Sequence, residues 1–124
     1  MIAKKSSPAP ERRPSRGEIW WAQLDPPKNH QTMVTRPCLV ISVDQINAGS
    51  ADILIVVPIE FENLGIVSHI PIDRKDVDIK RSGYIQCENI RLIPLDRVQT
   101  FAGLASPAKM DEVEETLSLL LGLG

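Results

Sequence analysis

Apolar residues fall in short runs separated by polar, glycine- and proline-containing segments, and this pattern predicts a mainly β protein. The first run, residues 17–24, is rich in aromatic and branched side chains. It ends at Asp25, because the two prolines that follow lack a ladder donor and restrict the residue before them. Pro37 opens a second run at a first strand position, which proline tolerates. The two runs predict a pair of strands joined by a polar loop.

The runs that follow predict further strands. Residues 51–59 are almost continuously apolar, which favours a central strand buried on both faces that leaves the sheet at Glu60. Before this strand, Asp44 and Gly49 are suited to begin and end a short helical turn. Residues 89–93 form another short segment, either extended or a helical turn. The remaining strands are expected at residues 67–72, 83–87 and 95–101.

The C-terminal residues follow a helical pattern. Ser106 places a capping hydroxyl before Pro107 at the first helical position, and Gly122 is suited to end the helix. Apolar side chains recur with helical spacing at Met110, Val113, Leu117, Leu120 and Leu121. Many short strands and one terminal helix predict a small, strongly bent sheet or barrel with the helix packed on it.

Length and composition narrow the class of protein. The 124 residues suit one domain with a modest core. No run of about 18 apolar residues predicts a membrane span, and no apolar stretch behind the N-terminal charges predicts a secretory signal. Cys38 and Cys87 both fall in strand-like runs, so we expect reduced core thiols rather than a disulfide. These features favour a cytoplasmic protein.

The charge of the chain is unevenly distributed. Residues 1–16 carry five basic residues and one acidic residue, a net charge of +4, so the remaining residues carry −6 of the total of −2. Residues 1–15 are rich in proline and serine with little to bury, so we expect a basic, disordered arm before a domain at residues 16–124. The acidic domain argues against broad, charge-driven binding of nucleic acid, but it is compatible with a small positive cleft.

Five segments in a fixed order, followed by the amphipathic helix, resemble the MazF/PemK (Kid) family of toxin endoribonucleases. They are RGEIWWAQLDP, RPCLVIS, IVVPI, VSHIPI and SGYIQCENIRLIPLDRV. The resemblance covers nearly all of residues 16–121. It implies an SH3-like barrel of the MazF/PemK/CcdB type with a C-terminal helix, a homodimer, and a cognate antitoxin whose disordered tail wraps the toxin. It also implies sequence-specific cleavage of single-stranded RNA without a metal or cofactor.

The chemistry that the resemblance implies can be assigned to residues of this chain. The substrate 2′-OH attacks its own phosphate and leaves a 2′,3′-cyclic phosphate and a 5′-OH, which needs a base, an acid and positive donors. Arg36 suits phosphate oxygens, and His30 titrates near neutral pH. Glu60 or Glu88 could act as the base if its surroundings tuned it. The predicted RNA-binding residues are Trp20, Lys28, Asn29, Gln31 and Gln86.

The histidines and tryptophans of the chain allow two further expectations. His30 and His69 are isolated, so no metal site is predicted, and His69 is expected to be a hydrogen-bonded packing residue. Trp20 and Trp21 point to opposite faces of their strand. One of them is expected in the core, and the other could stack on a base or cover a dimer surface.

Five positions depart from the residues that the family usually carries. Asn29 replaces a glycine and Glu88 replaces an aspartate, while the other three change a charge. Gln31 replaces a glutamate, Gln86 replaces an arginine, and Glu60 replaces a hydroxyl residue. Glu60 therefore has two interpretations: it forms an ion pair with Arg36 and masks the phosphate site, or it serves as the base while Arg36 holds the phosphate. The first interpretation leads to an alternative function, a catalytically weakened family member that acts as a binding protein for antitoxin or nucleic acid.

Overall fold

The computed structural model describes residues 12–25, 32–74, 77, 79 and 81–124. Its elements are β1 (Glu18–Leu24), β2 (Val34–Val40), α1 (Asp44–Asn47), β3 (Ile53–Glu60), β4 (His69–Ile72), β5 (Gly83–Gln86), β6 (Arg91–Pro94), β7 (Val98–Leu104) and α2 (Pro107–Leu121). A short 3-10 turn at Leu95–Arg97 leads into β7. The predicted mainly β fold with a C-terminal helix is confirmed.

The strands form one antiparallel sheet in the order β4-β5-β3-β2-β1-β7, with β6 also paired to β3. Strand β3 is the centre of the sheet. One edge pairs with β2, while the other pairs first with β6 and then, at Ile59 and Glu60, with β5. Within the described residues no ladder joins β4 to β7, so the sheet is open between these two edge strands.

Alternation along the strands gives the sheet two cores on opposite faces. The larger core packs beneath α2 and includes Ile19, Leu39, Val57, Ile59, Ile85 and Val113. The smaller core lies on the other face and includes Trp20, Leu24, Cys38, Val56, Ile93 and Val98. Neighbouring residues of β1 alternate between the two, so Trp20 belongs to the smaller core and Trp21 packs against the larger one.

The C-terminal helix agrees with its predicted ends. The Ser106 hydroxyl accepts a hydrogen bond from the Lys109 amide at 3.1 Å, and Gly122 ends the helix in the left-handed region at φ 67°. Val113 is buried, and Met110 and Leu117 pack against the larger core. The predicted stripe is wrong beyond these residues, because the last turn is solvated: the exposed side chains there are Leu119, Leu120 and Leu121.

Several other boundaries differ from the sequence prediction. Strand β2 begins at Val34, so Pro37 lies inside it rather than at its first position, and β7 begins and ends three residues later than predicted. The turn α1 is preceded by Val43, and the Asp44 side chain accepts from the Arg16 amide instead of capping the helix. Strand β4 begins at His69 rather than Val67, whose side chain is fully exposed. The segment at residues 89–93, left open between an extended segment and a helical turn, contains the start of strand β6.

The residues before β1 contact the domain. Arg12 pairs with Glu18 at 3.0 Å, and Arg13 pairs with Asp52 at 2.6 Å. Arg16 donates to the Ile41 carbonyl and pairs with a glutamate of α2. The expectation of disorder for residues 1–11 falls outside the described residues. No helix among the described residues is long and apolar enough to cross a membrane.

Candidate functional site

A cleft of about 190 Å³ opens at one end of the smaller core, on the face of the sheet opposite α2. Its walls come from the end of β1, the start of β2, the end of β3 and the residues between β5 and β6. The lining residues are Leu24, Asp25, Val34, Arg36, Pro58, Glu60, Gln86, Asn89 and Arg91. Of the predicted site residues, Arg36, Glu60 and Gln86 meet here.

Strand register explains why the charged side chains converge. Cys38 of β2 pairs with Pro58 of β3. Two positions farther along these antiparallel strands are Arg36 and Glu60, which project from the same face as that pair. Arg91 of β6 pairs with Val56 on the other edge of β3, and paired residues share a face. Three strands therefore direct Arg36, Glu60 and Arg91 into one cleft.

Arg36 and Glu60 form the ion pair that one interpretation of the sequence required. The Nη1 atom of Arg36 lies 3.6 Å from Oε1 of Glu60, and the two side chains are 34% and 19% exposed. The other oxygen of Glu60 accepts a hydrogen bond from the Glu62 amide at 3.1 Å. The separation of the pair exceeds an ordinary N–H···O hydrogen bond, so the contact is electrostatic and loose.

Two lining residues, Asn89 and Arg91, were missed by the sequence analysis. The Nε atom of Arg91 donates to Asn89 Oδ1 at 3.1 Å, and Asn89 Nδ2 donates to Gln86 Oε1 at 3.3 Å. This chain of side chains orients the Arg91 guanidinium. Arg91 lies two positions before the core residue Ile93, so in a strand both side chains project from the same face. The sequence indicates this only if residues 89–93 are taken as extended.

The buried thiol of Cys38 lies near both arginines of the cleft. Burial raises the pKa of Cys38 to about 12, even though the charges of Arg91 and Arg36 both lower it. Both guanidinium groups therefore act on the same buried atom beneath the cleft. The carboxylates of Glu60 and Asp25 line the same cleft. A bound anion would therefore displace Glu60 from Arg36, whereas Arg91 is held by the neutral Asn89.

Glu88, the other predicted base, does not line this cleft. Its carboxylate accepts from the Ser68 hydroxyl at 2.6 Å and lies 2.8 Å from Nε2 of His69. Burial alone would raise the pKa of Glu88, but the hydrogen bonds from Ser68 and His69 outweigh burial and lower it. His69 is buried and hydrogen-bonded, as predicted, although its Nδ1 has no partner in the described part of the chain.

The geometry does not support Trp20 as a base-stacking residue. Its side chain is 4% exposed, and its indole nitrogen donates to Glu18 at 3.0 Å. Phe101 meets the ring edge-on at 5.6 Å, and the Arg12 guanidinium lies 5.2 Å from the ring centroid. A base needs an open ring face, and here the ring is part of the smaller core.

Four predicted site residues, Lys28, Asn29, His30 and Gln31, lie outside the described residues. The residues that flank their segment do line the cleft, namely Leu24 and Asp25 before it and Val34 after it. Across residues 12–25, 32–74, 77, 79 and 81–124, no group of three or more His, Cys, Asp or Glu side chains could hold a metal ion.

Comparison with known proteins identifies the family of the chain. A family model described as "PemK-like, MazF-like toxin of type II toxin-antitoxin system" matches residues 15–121. The chain is 28% identical over 109 residues to the endoribonuclease MazF of Staphylococcus epidermidis, covering 87% of this chain and 91% of that protein. It is 30% identical over 114 residues to the endoribonuclease MazF9 of Mycobacterium tuberculosis, covering 87% and 96%.

A solved structure supports the fold independently. A chain of a MazE-MazF crystal structure from Deinococcus radiodurans superposes with a TM-score of 0.77 at 21% identity, covering 92% of this chain and 100% of that chain. The family resemblance stated from the sequence is therefore confirmed by the family model, by curated relatives and by the fold. This chain belongs to the PemK-like, MazF-like toxins of type II toxin-antitoxin systems.

Proposed function

We propose that the protein is a toxin endoribonuclease that cleaves single-stranded RNA in the Arg36–Glu60 cleft. The observation that carries the proposal is the meeting of a phosphate-binding cation and a carboxylate in one accessible cleft, beside a second arginine. The relatives that are named endoribonucleases match almost the whole chain. Family, fold and site chemistry therefore point to the same activity.

The proposed reaction is an internal transesterification. The Glu60 carboxylate accepts the proton of the substrate 2′-OH, whose oxygen then bonds to the adjacent phosphorus. The bond from phosphorus to the 5′ oxygen breaks, and that oxygen takes up a proton. Arg36 neutralises the charge that develops on the phosphate oxygens. The products are a 2′,3′-cyclic phosphate and a 5′-OH, and no step of this scheme uses a metal.

His30 is the proposed acid that supplies the proton to the 5′ oxygen. Imidazole titrates near neutral pH, which suits a group that must give up a proton under physiological conditions. Leu24, Asp25 and Val34 flank the segment that contains His30, and all three line the cleft. The ends of this segment are therefore at the reaction site.

We further propose that the protein works in the cytoplasm as a homodimer and that a cognate antitoxin inhibits it. The family to which the chain belongs consists of toxins of type II toxin-antitoxin systems, and one matched structure is a MazE-MazF crystal form. An antitoxin with a disordered tail fits the role, since such a segment can cover a large surface and be removed again.

The Arg36–Glu60 contact also defines a second candidate function. If Glu60 serves only to neutralise Arg36, the protein is a weakened nuclease that binds antitoxin or nucleic acid. The loose 3.6 Å separation favours the catalytic interpretation. A phosphate could displace the weakly held Glu60 carboxylate from Arg36 at little cost in free energy. Both functions use the same cleft, and they differ in whether RNA bound there is cleaved.

The deciding experiment is to incubate the purified protein with a long single-stranded RNA in EDTA and to map the ends of the products. We expect cleavage with a 2′,3′-cyclic phosphate on one fragment and a 5′-OH on the other. A 5′-phosphate product would contradict the mechanism. Binding of the RNA without cleavage, under conditions in which a MazF relative cuts it, would instead support the binding function.

A further inference from the structure

A second, wider cleft adjoins the candidate active site. It measures about 390 Å³ and is lined by Asp25, Arg91, Leu92, Ile93, Pro94 and Arg97. Asp25 and Arg91 line both clefts, so the two form one continuous depression along the same face of the sheet. The chain therefore has a path that begins at Arg36, passes Arg91 and reaches Arg97.

The size of the first cleft indicates why a second one is needed. Ligand pockets commonly measure about 300–1,000 Å³, and the first cleft, at about 190 Å³, is below that range. It suits a phosphate and part of its sugar rather than a longer stretch of strand. The wider cleft falls within the range and lies directly beyond Arg91.

The charges of the wider cleft suit a polyanion. Within the described residues, the contact of Arg91 is with the neutral Asn89, which orients the guanidinium without neutralising it. Arg97 lies 3.3 Å from Asp25, whose side chain is 77% exposed, and also contacts Met33 Sδ at 3.6 Å. An exposed pair of this kind is weak in water, so an incoming phosphate can replace Asp25 as the partner of Arg97.

We propose that the wider cleft is a subsite for the RNA strand, binding the phosphate next to the cleaved bond. Arg91 contacts the strand where the two clefts meet, and Arg97 binds the neighbouring phosphate. This inference rests on the proposed function, because it assumes that the strand occupies the Arg36 cleft.

The test measures binding separately from cleavage. A fluorescein-labelled, random-sequence pool of 2′-O-methyl RNA octamers cannot undergo 2′-OH attack, so fluorescence anisotropy reports affinity alone. The variants are Arg97→Ala, Arg97→Lys, Arg91→Ala and Asp25→Asn, each in the full chain. The matched control is Arg81→Ala, which also removes one arginine but from a position stacked on Phe61 at 4.2 Å and outside both linings.

We expect Arg97→Ala to weaken binding about three- to tenfold and to reduce the slope of log affinity against log salt by about 0.7, the value for one contact to single-stranded nucleic acid. Arg91→Ala weakens binding further because it affects both clefts. Arg97→Lys keeps the salt slope. Asp25→Asn tightens binding a few-fold by removing an anion from the path, and it remains informative if an arginine variant fails to fold. Arg81→Ala behaves as the wild type.

The outcomes separate this inference from the proposed function. Unchanged affinity and salt slope in Arg97→Ala, together with unchanged affinity in Asp25→Asn, would overturn the subsite. Failure of the wild type to bind the octamers would overturn it as well. If the wild type binds and the variants behave as expected, but unmodified RNA is not cut, the subsite stands and the nuclease activity fails.

Discussion

The Nη1 atom of Arg36 lies 3.6 Å from Oε1 of Glu60, so the strongest candidate phosphate ligand of the chain is already beside a carboxylate. Both side chains line the smaller cleft and both are partly exposed. The contact is too long for a hydrogen bond and too accessible for a strong salt bridge. Arg36 can therefore pass from Glu60 to a phosphate without breaking a buried interaction.

Replacement of Glu60 tests whether that carboxylate is a base or a mask. We expect Glu60→Gln to lower kcat about 100-fold or more, because general-base catalysis typically contributes factors of this size. Single-turnover cleavage of a defined RNA measures the change. The matched control is Glu62→Gln, which removes an exposed carboxylate two residues away and outside the cleft lining. Increased cleavage by Glu60→Gln or Glu60→Thr would show masking instead.

Arg36 should be needed for turnover more than for folding. Loss of a donor to the developing charge costs about 100- to 1,000-fold in rate, so we expect Arg36→Ala to lose at least that much. Arg36→Lys keeps the charge but not the forked geometry, and it should recover only part of the activity. Thermal unfolding of both variants checks the fold, and Arg81→Ala again controls for loss of one charge. Persistent activity of Arg36→Ala would exclude this residue from the reaction.

The sequence predicted the fold better than it predicted the site, and the reason is physical. Strands β1, β2 and β3 have long alternating or apolar runs, and α2 has a hydroxyl cap and a terminal glycine, so local pattern alone locates them. Strand β6 has only four residues, too few to show a period, so Arg91 could not be assigned to the face that it shares with Arg36.

Long-range pairing accounts for the other differences. Glu88 was a candidate base because of its place in a family motif. Its actual partners, Ser68 and His69, reach it because His69 pairs with Gln86 across β4 and β5, a register that no local pattern reveals. Trp20 and Trp21 were correctly assigned to opposite faces. Both faces carry a core, however, so neither could be identified as the exposed one from alternation alone.

The Ser68–Glu88–His69 cluster should make stability depend on pH in acid. Hydrogen bonds hold the pKa of Glu88 below its ordinary value of 4.5 in the folded protein. A lowered pKa stabilises the fold above the unfolded value, and the stabilisation disappears as the pH falls through the folded value. We expect the difference in free energy of unfolding between wild type and Glu88→Gln to shrink as the pH falls below the ordinary value of 4.5 and through the lower folded value.

Urea titrations at several pH values from neutral to about pH 3 would measure this difference. The pKa of Glu18 is also lowered, where hydrogen bonds from Arg12, Ser15 and Trp20 outweigh burial, but this group is present in both proteins and cancels in the comparison. A difference that stays the same from neutral pH to pH 3 would contradict the assigned role of Glu88.

Both cysteines should be unreactive in the folded protein. Burial raises the pKa of Cys38 to about 12, and burial together with the nearby charge of Glu88 raises that of Cys87 to about 11. Only the thiolate is a good nucleophile, so its fraction at pH 8 is about one in a thousand or less. We expect a thiol-reactive disulfide reagent to label neither residue in native protein and both in guanidinium chloride. Rapid labelling of the native protein would refute this.

Arg13 should stabilise the fold through the connection between α1 and β3. Its Nη1 atom donates to the carbonyls of Asn47 and Gly49 at 3.2 and 3.3 Å, and its Nη2 atom lies 2.6 Å from Asp52. Asp52 has a φ of 54°, in the left-handed region that is uncommon for residues other than glycine. Arg13 therefore satisfies the last carbonyl of α1 and that of Gly49 beyond it, and it holds Asp52, where the chain turns toward β3.

We expect Arg13→Ala to lower the free energy of unfolding by about 1 kcal/mol, since exposed hydrogen bonds and ion pairs contribute modestly. Urea denaturation measures the loss. Arg13→Lys separates the contribution of the ion pair from that of the carbonyl contacts. An ammonium can keep the pair with Asp52, but it cannot reproduce the forked contact with two carbonyls and a carboxylate. We expect Arg13→Lys to recover less than half of the loss. Wild-type stability in Arg13→Ala would show that residues before β1 merely lie against the domain without stabilising it.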